Sequence, residues 1–279
     1  MNIFFTFLFD IKRISVPNMV HALTSLVKSL DYFKNSYELH VYTNVPIRFD
    51  NPNIKIIKYE LSDIIKYYNN VWHDISFHKL STAKTFTEKG ISPIWIDLDT
   101  IVCRNVDHLS DYNNFFVKQG GSMDTKIFNI LPGLGVENKD YIQGNIWKIN
   151  PALLNLLMEL WDSLTTKPEY DTQGLFNYAY HFKDMKSNML ILGEDVDHNT
   201  INGLDIVNDK IVTHPTISLL KDNLVMRDGK IISLNSNKEI QFFSFTFLTL
   251  VDFFSRNLFA QFSDPGIRDF FKSCGYIYR

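Results

Sequence analysis

The chain is 279 residues long, 45 % hydrophobic and 21 % charged, a globular composition with enough length to bury one large core or two smaller ones. A net charge of −3 argues against nucleic acid as the main partner, while leaving room for a nucleotide held by a local patch. Cys103 and Cys274 are the only cysteines, too few for a disulfide framework or a cysteine metal site, which suits a reducing, cytoplasmic setting.

The apolar opening carries its basic residues after the apolar run and no small-residue cleavage site. It predicts a buried strand over residues 3–9 rather than a signal peptide. Met19, Val20, Leu23, Leu26, Val27 and Leu30 fall on one helical face, with Pro17 near the first turn. "YELHVYTN" and "NIKIIKYE" predict short strands, and "SFHKLSTAKTFTEKG" predicts a helix that stops at Gly90. "IWIDL" is then the next strand. This alternation predicts an open, mostly parallel α/β sheet flanked by helices. "NPALLNLLMELWDSL" predicts a helix capped by Asn150 with Pro151 at its first position, and "DTQGLFNYAYHF" a helix capped by Asp171. "NLVMRDGKIISL" predicts a hairpin turning at Asp228 and Gly229, and "SDPGIRDFFKSCG" a short closing helix. The phenylalanine-rich run over residues 240–262 reads as helix core in preference to a membrane-surface helix, and no apolar run is long enough to span a bilayer.

The stretch "ISPIWIDLDTIVCRNVDHL" puts Asp97 and Asp99 at the end of an apolar run. On a strand, alternation points both carboxylates to one side and Leu98 to the other. Two such charges repel unless a cation lies between them. Hard oxygen ligands suit Mn²⁺ or Mg²⁺, which can also grip a diphosphate. In an open α/β sheet, ligands bind beyond the carboxyl ends of the strands, where this pair lies. A bare Asp-x-Asp is a weak signal, since the chain holds another at Asp195 and Asp197; the apolar strand before Asp97 together with the apolar pair Ile101 and Val102 and the polar turn after Asp99 sets the first apart.

"PIWIDLDTIVCRNVDHL" resembles the Asp-x-Asp segment of nucleotide-sugar glycosyltransferases of the GT-A fold, in the style of family 8 and related bacterial enzymes of surface polysaccharide synthesis. Residues 3–20 resemble the first strand and base loop of that family. "YIQGNIWKIN" resembles its Asn-Ala-Gly strand, with Gln143 at the asparagine. "DTQGLFN" resembles its Asp-Gln-Asp-x-x-Asn helix start: Gln173 and Asn177 match, while Thr172 and Gly174 replace the two aspartates. The family's late His-x-Gly-x-x-Lys-Pro-Trp segment has no match; "IQFFSFTF" stands there, with Ser244 at the histidine. The resemblance implies a GT-A-like (Rossmann-like) catalytic domain over residues 1–247, with a smaller mixed C-terminal portion and a helical extension over 248–279 packed on it.

It also implies a chemistry. Transfer from a nucleotide diphosphate sugar to a glycan or lipid-linked glycan acceptor leaves a charged diphosphate. A metal held by Asp99 and Asp97 would stabilise that charge, Asp97 also meeting the ribose. His214 is the other candidate metal ligand, against a water completing the shell. Lys79 is the expected cation of the preceding helix, chosen by spacing over His78 and Lys84. Thr6, Phe7 and Asp10 would receive the base, with Arg13 near ribose or phosphate, and Gln143 would touch a sugar. A retaining enzyme would use Gln173 at the reacting face; an inverting one needs a carboxylate base, for which Asp171 is nearest. Gly133 and Gly135 suggest a mobile loop over the acceptor side, or simply a turn. The setting implied is the cytoplasm, at or near the inner face of the membrane by peripheral association. Two rivals remain: a HAD-type phosphohydrolase with Asp97 as nucleophile, and a non-catalytic protein of this fold that binds a sugar nucleotide.

Overall fold

The computed structural model describes residues 1–10, 15–60, 71–118, 142–165, 171–192, 197–201, 206–207, 210–211, 221–235, 237–245 and 247–275. The chain forms two compact units from interleaved segments. The first is Met1–Ile11, Tyr37–Asp97 and His108–Gly193; the second is Lys12–Ser36, Leu98–Asp107 and Glu194–Arg279.

The first unit is built on a seven-stranded sheet. Its strands are β1 (Asn2–Leu8), β2 (Tyr37–Thr43), β3 (Ile54–Lys58), β4 (Ile94–Ile96), β6 (Phe115–Lys118), β7 (Ile142–Lys148) and β8 (Ile191–Leu192), in the spatial order β3-β2-β1-β4-β7-β6-β8. The β3-β2, β2-β1, β1-β4 and β6-β8 pairs are parallel; β4-β7 and β7-β6 are antiparallel. The sheet is thus mostly parallel, as the strand and helix alternation predicts. Its helices are α2 (Val71–Thr87), α3 (Pro151–Ser163) and α4 (Asp171–Phe182).

Aromatic side chains of alternate strand positions make the core. Phe5 packs edge-on to Trp95 at 5.1 Å and to Trp147 at 5.8 Å, and the two indoles stack at 6.1 Å. Leu153, Leu157 and Trp161 of α3 and Leu175, Phe176 and Ala179 of α4 join the same cluster. Asn150 starts α3 by accepting the Leu153 N–H at 2.9 Å, ahead of Pro151, a cap of about 1 kcal/mol. α2 ends three residues before Gly90, whose φ of +74° takes the chain out of the helix at no steric cost.

The second unit holds α1 (Val16–Tyr32), β5 (Thr100–Val102), β9 (Asp197–Ile201), the short pair β10 (Ile206–Val207) and β11 (Lys210–Ile211), β12 (Leu224–Arg227), β13 (Lys230–Ser233), β14 (Lys238–Phe245), α5 (Phe247–Ser255) and α6 (Pro265–Cys274). β14 is its spine, antiparallel to β13 and β5 and parallel to β9. β12 and β13 form the expected hairpin; Asp228 and Gly229 have φ of 50° and 73°, as a tight primed turn requires. The helical expectation for residues 240–262 is corrected in its first part. Ile240 and Phe242 to Phe245 belong to β14, because β9 and β5 there take up the backbone groups, and the helix begins only at Phe247. Among the described residues no helix is long and apolar enough to cross a membrane.

Candidate functional site

Parallel strands β1, β2, β3 and β4 bring their carboxyl ends to one edge of the first unit's sheet. β4 stops at Ile96. Asp97 comes next and donates its N–H to the Asn145 carbonyl of β7 at 2.8 Å. Leu98 and Asp99 form a turn before β5. The strand-alternation argument for the two aspartates therefore does not reach them: Asp97 closes the first unit, and Asp99 lies in the second. Asp99 is half-buried there, and its carbonyl accepts the Phe245 N–H at 2.9 Å.

Asp97 has two neighbours from its own unit. The Trp95 indole N–H donates to Asp97 Oδ1 at 2.9 Å, and Lys79 Nζ lies 3.4 Å from the same oxygen. Lys79 also sits over the Trp95 ring, 4.3 Å from its centroid. Burial pushes the Asp97 carboxyl up from its ordinary range, while the Lys79 charge and the Trp95 hydrogen bond pull it down. Lys79, chosen by spacing alone, thus stands one contact from the aspartate.

At the end of β1 the expected base-binding residues differ among themselves. Thr6 is fully buried in the strand and its hydroxyl has no partner among the described residues. Phe7 packs edge-on to Trp95 at 5.1 Å. Asp10 is half-buried beyond the strand and donates its N–H to Asn44 Oδ1 at 2.8 Å. Beside it lies an aromatic shelf that sequence reasoning missed. Phe9 is 5.9 Å from Tyr59, Tyr59 is 6.0 Å from Tyr42, and the Tyr59 hydroxyl lies 3.2 Å from His78 Nδ1. Burial, then Tyr59, pushes the Tyr42 phenol up to about 12. The available signal was position: Asn44 and Tyr59 are each the first residue after a parallel strand.

The third part joins β7 to α4. Gln173 Oε1 accepts the Gly144 N–H at 3.1 Å. A Cβ at Gly144 would lie 2.9 Å from Gln173 Cβ, so glycine is what permits this approach. Asn177 accepts the Ile142 N–H and donates to the Ile142 and Gln173 carbonyls, all at 2.9 Å. Gln143 is 9 % exposed on β7. Asp171 is the first residue of α4.

The described residues thus gather Lys79, Trp95 and Asp97 at one place, and Gly144, Gln173 and Asn177 at another. Arg13, Gly133, Gly135, Asp195 and His214 lie outside the described residues. Ser244 pairs with Thr100 across β14 and β5. No group of three metal-ligating side chains occurs among the described residues. The donors present, Asp97 and Asp99, are hard carboxylates, and Mg²⁺ is commonly bound through one or two carboxylates with phosphates and water filling its shell. Hard carboxylates of this kind suit Mg²⁺ or Mn²⁺.

No protein-family model and no curated protein matches the chain. Solved structures do. The galactosyltransferase LgtC, in complex with donor and acceptor sugar analogues, matches with a TM-score of 0.54 at 14 % identity, over 98 % of this chain and 95 % of LgtC. An active-site mutant of LgtC, glutamine to glutamate, matches with 0.50 at 13 %, over 88 % of this chain and 87 % of the other. The bifunctional glycosyltransferase WbbM in its apo form matches with 0.52 at 11 %, over 98 % of this chain and 51 % of WbbM. The chain has the mixed α/β fold of these glycosyltransferases: a mostly parallel sheet flanked by helices, with a separate, mainly antiparallel sheet.

Proposed function

We propose that the protein is a glycosyltransferase that moves a sugar from a nucleoside diphosphate sugar, UDP-linked, to a hydroxyl of a glycan or lipid-linked glycan, with a divalent cation. The observation that carries this is Asp97. It is the first residue beyond β4, at the carboxyl edge where β1, β2 and β3 also end, and it is held by Lys79 and Trp95. That edge is where ligands of open α/β sheets bind. The fold shared with LgtC and WbbM supports the same reaction class and disfavours the phosphohydrolase.

In this scheme the bond from the anomeric carbon to the diphosphate breaks, the acceptor oxygen bonds that carbon, and the acceptor's proton passes to the departing diphosphate, or to a carboxylate base if configuration inverts. Asp97 and Asp99 would hold Mg²⁺ or Mn²⁺, which supplies positive charge to the leaving diphosphate. Lys79 lies beside Asp97 and offers a second cation. The base would lie near Asp10 and the aromatic shelf of Phe9 and Tyr59. Gln173 would face the anomeric carbon from the start of α4, favouring retention of configuration, with Asp171 as the base if configuration inverts. Gln143 would contact a sugar. Surface polysaccharide synthesis at the cytoplasmic face of a membrane is the setting we assign to it.

Calorimetry of UDP binding tests the proposal. UDP should bind at least about tenfold more tightly with Mn²⁺ than with a chelator, and Asp99→Asn should erase the difference. Equal affinity with and without metal would sink it. His214→Ala separates the two views of the metal shell: affinity for Mn²⁺ should stay unchanged, and a loss as large as that of Asp99→Asn would make His214 a ligand.

A further inference from the structure

We propose that Trp95 is a positioning residue whose indole N–H, with Lys79 on its ring, fixes the Asp97 carboxylate with one oxygen toward the protein and the other toward the ligand. This rests on Asp97 being a ligand of the donor's metal, as proposed above.

Three groups define the arrangement. Trp95 is 2 % exposed. Its ring is wedged between Phe5 and Phe7, each 5.1 Å away and edge-on, and stacks on Trp147 at 6.1 Å. A ring so enclosed cannot turn without repacking the core, so the direction of its N–H is set by the core. That N–H ends on Asp97 Oδ1 at 2.9 Å. Lys79 Nζ lies 3.4 Å from the same oxygen, long for an ion pair, and 4.3 Å from the indole centroid. The ammonium is shared between a carboxylate and a ring face. Both contacts fall on Oδ1, and Oδ2 has no hydrogen bond among the described residues. The carboxylate of a strand-end aspartate, otherwise free to rotate, is thereby indexed to the core of the first unit.

The alternative is that the indole only needs an acceptor for its own sake. Trp147 argues against this. It is fully buried, stacked on Trp95, and its N–H has no partner among the described residues. The same core tolerates an indole without an acceptor. A phenyl ring would serve packing at position 95; what only tryptophan adds there is a donor aimed at Asp97. Hydrogen bonds to ligating side chains of this kind typically contribute a factor of about 10–100 in metal affinity.

Trp95→Phe deletes the N–H and keeps a ring for Phe5, Phe7 and Trp147. It should weaken UDP binding in the presence of Mg²⁺ about tenfold and leave UDP binding in a chelator within about twofold. In ¹⁵N-indole spectra the four tryptophans give four N–H signals. Asp97→Asn should move the Trp95 signal more than the other three, and UDP with Mg²⁺ should move it as well. Metal-assisted affinity within about twofold of wild type in Trp95→Phe, or an unmoved Trp95 signal in Asp97→Asn, overturns the proposal. A wild-type protein whose UDP affinity ignores Mg²⁺ overturns the metal site and this inference with it. That case is distinguished because wild type and Asp99→Asn then bind alike. Should Trp95→Phe fail to fold, the wild-type and Asp97→Asn spectra decide alone, with Trp95 assigned by elimination from phenylalanine substitutions at Trp72, Trp147 and Trp161.

Discussion

The end of β4 and the junction of β7 with α4 both gather polar side chains in the first unit, and they are built in opposite ways. At β4 the bonds run from side chain to side chain: Trp95 and Lys79 to one carboxylate oxygen of Asp97. At β7 they run from side chain to main chain: Gln173 to Gly144, and Asn177 to Ile142 and Gln173. An ion pair at 3.4 Å beside a carboxylate that is 31 % exposed can be exchanged for a metal or a phosphate when a ligand arrives. A buried backbone N–H or C=O that loses its amide partner costs about 1–3 kcal/mol. The first arrangement suits a place where charge changes, the second a place where geometry must stay fixed.

The sharpest test lies at Gln173, which belongs to the fixed side by its bond and to the chemistry only in the proposed function. Gln173→Ala should lower turnover about 100-fold with UDP affinity preserved. Asp171→Asn should keep most of the turnover, since an amide cannot be a general base near neutral pH and would not be missed as one. Loss of orders of magnitude in Asp171→Asn, with unchanged stability, would instead make Asp171 the base. NMR of the product decides independently: an α-linked donor giving a β-linked product rejects retention.

Stability should divide the two places in the other direction. Asn177→Ala strips two buried hydrogen bonds and one part-buried and should cost about 2–4 kcal/mol in urea unfolding. Gly144→Ala forces a Cβ to 2.9 Å from Gln173 Cβ and should cost about 1–3 kcal/mol. Lys79→Met should cost less than either, because water can replace an ammonium beside a partly exposed carboxylate. A larger loss in Lys79→Met than in Asn177→Ala would break the comparison.

What the sequence made legible followed from local rules. Asn150 before Pro151, the hairpin at Asp228 and Gly229, and the helix stop at Gly90 each depend on neighbours in the chain. The parallel strands were legible through alternation with helices. The interleaving of two units was not, because which strand pairs with β14 depends on contacts between residues as distant as Thr100 and Ser244. The same distance dependence misled the assignment of residues 240–262, where closely spaced phenylalanines fit a helix core and a strand equally. In the candidate site, Asp97 and Lys79 were named from motif and spacing, and the structure sets the two side by side. Trp95 and Asn177 were not given roles, since an indole N–H or an amide declares its partner only in three dimensions.

His21 offers the smallest effect and extends the comparison to the second unit. Like Asp97 it is a titratable group drawn out of water: it is 8 % exposed, with its ring 5.5 Å from Phe254. Asp97 has an ammonium of opposite charge beside it, whereas the charge acting on His21 is another cation. Burial first, and the Lys28 charge second, hold the imidazole below its ordinary value of 6.5. The unfolded chain therefore takes up this proton before the folded one as pH falls. The contribution of the neutral imidazole is full above about pH 6.5 and is lost as pH drops toward the folded value, with a slope of at most about 1.4 kcal/mol per pH unit. Urea midpoints at pH 7.5 and 5.5 should fall more in wild type than in His21→Asn, which has no proton to accept. Equal falls in the two proteins would mean that the folded imidazole binds its proton as readily as the unfolded one, and that burial at α1 is offset by its surroundings.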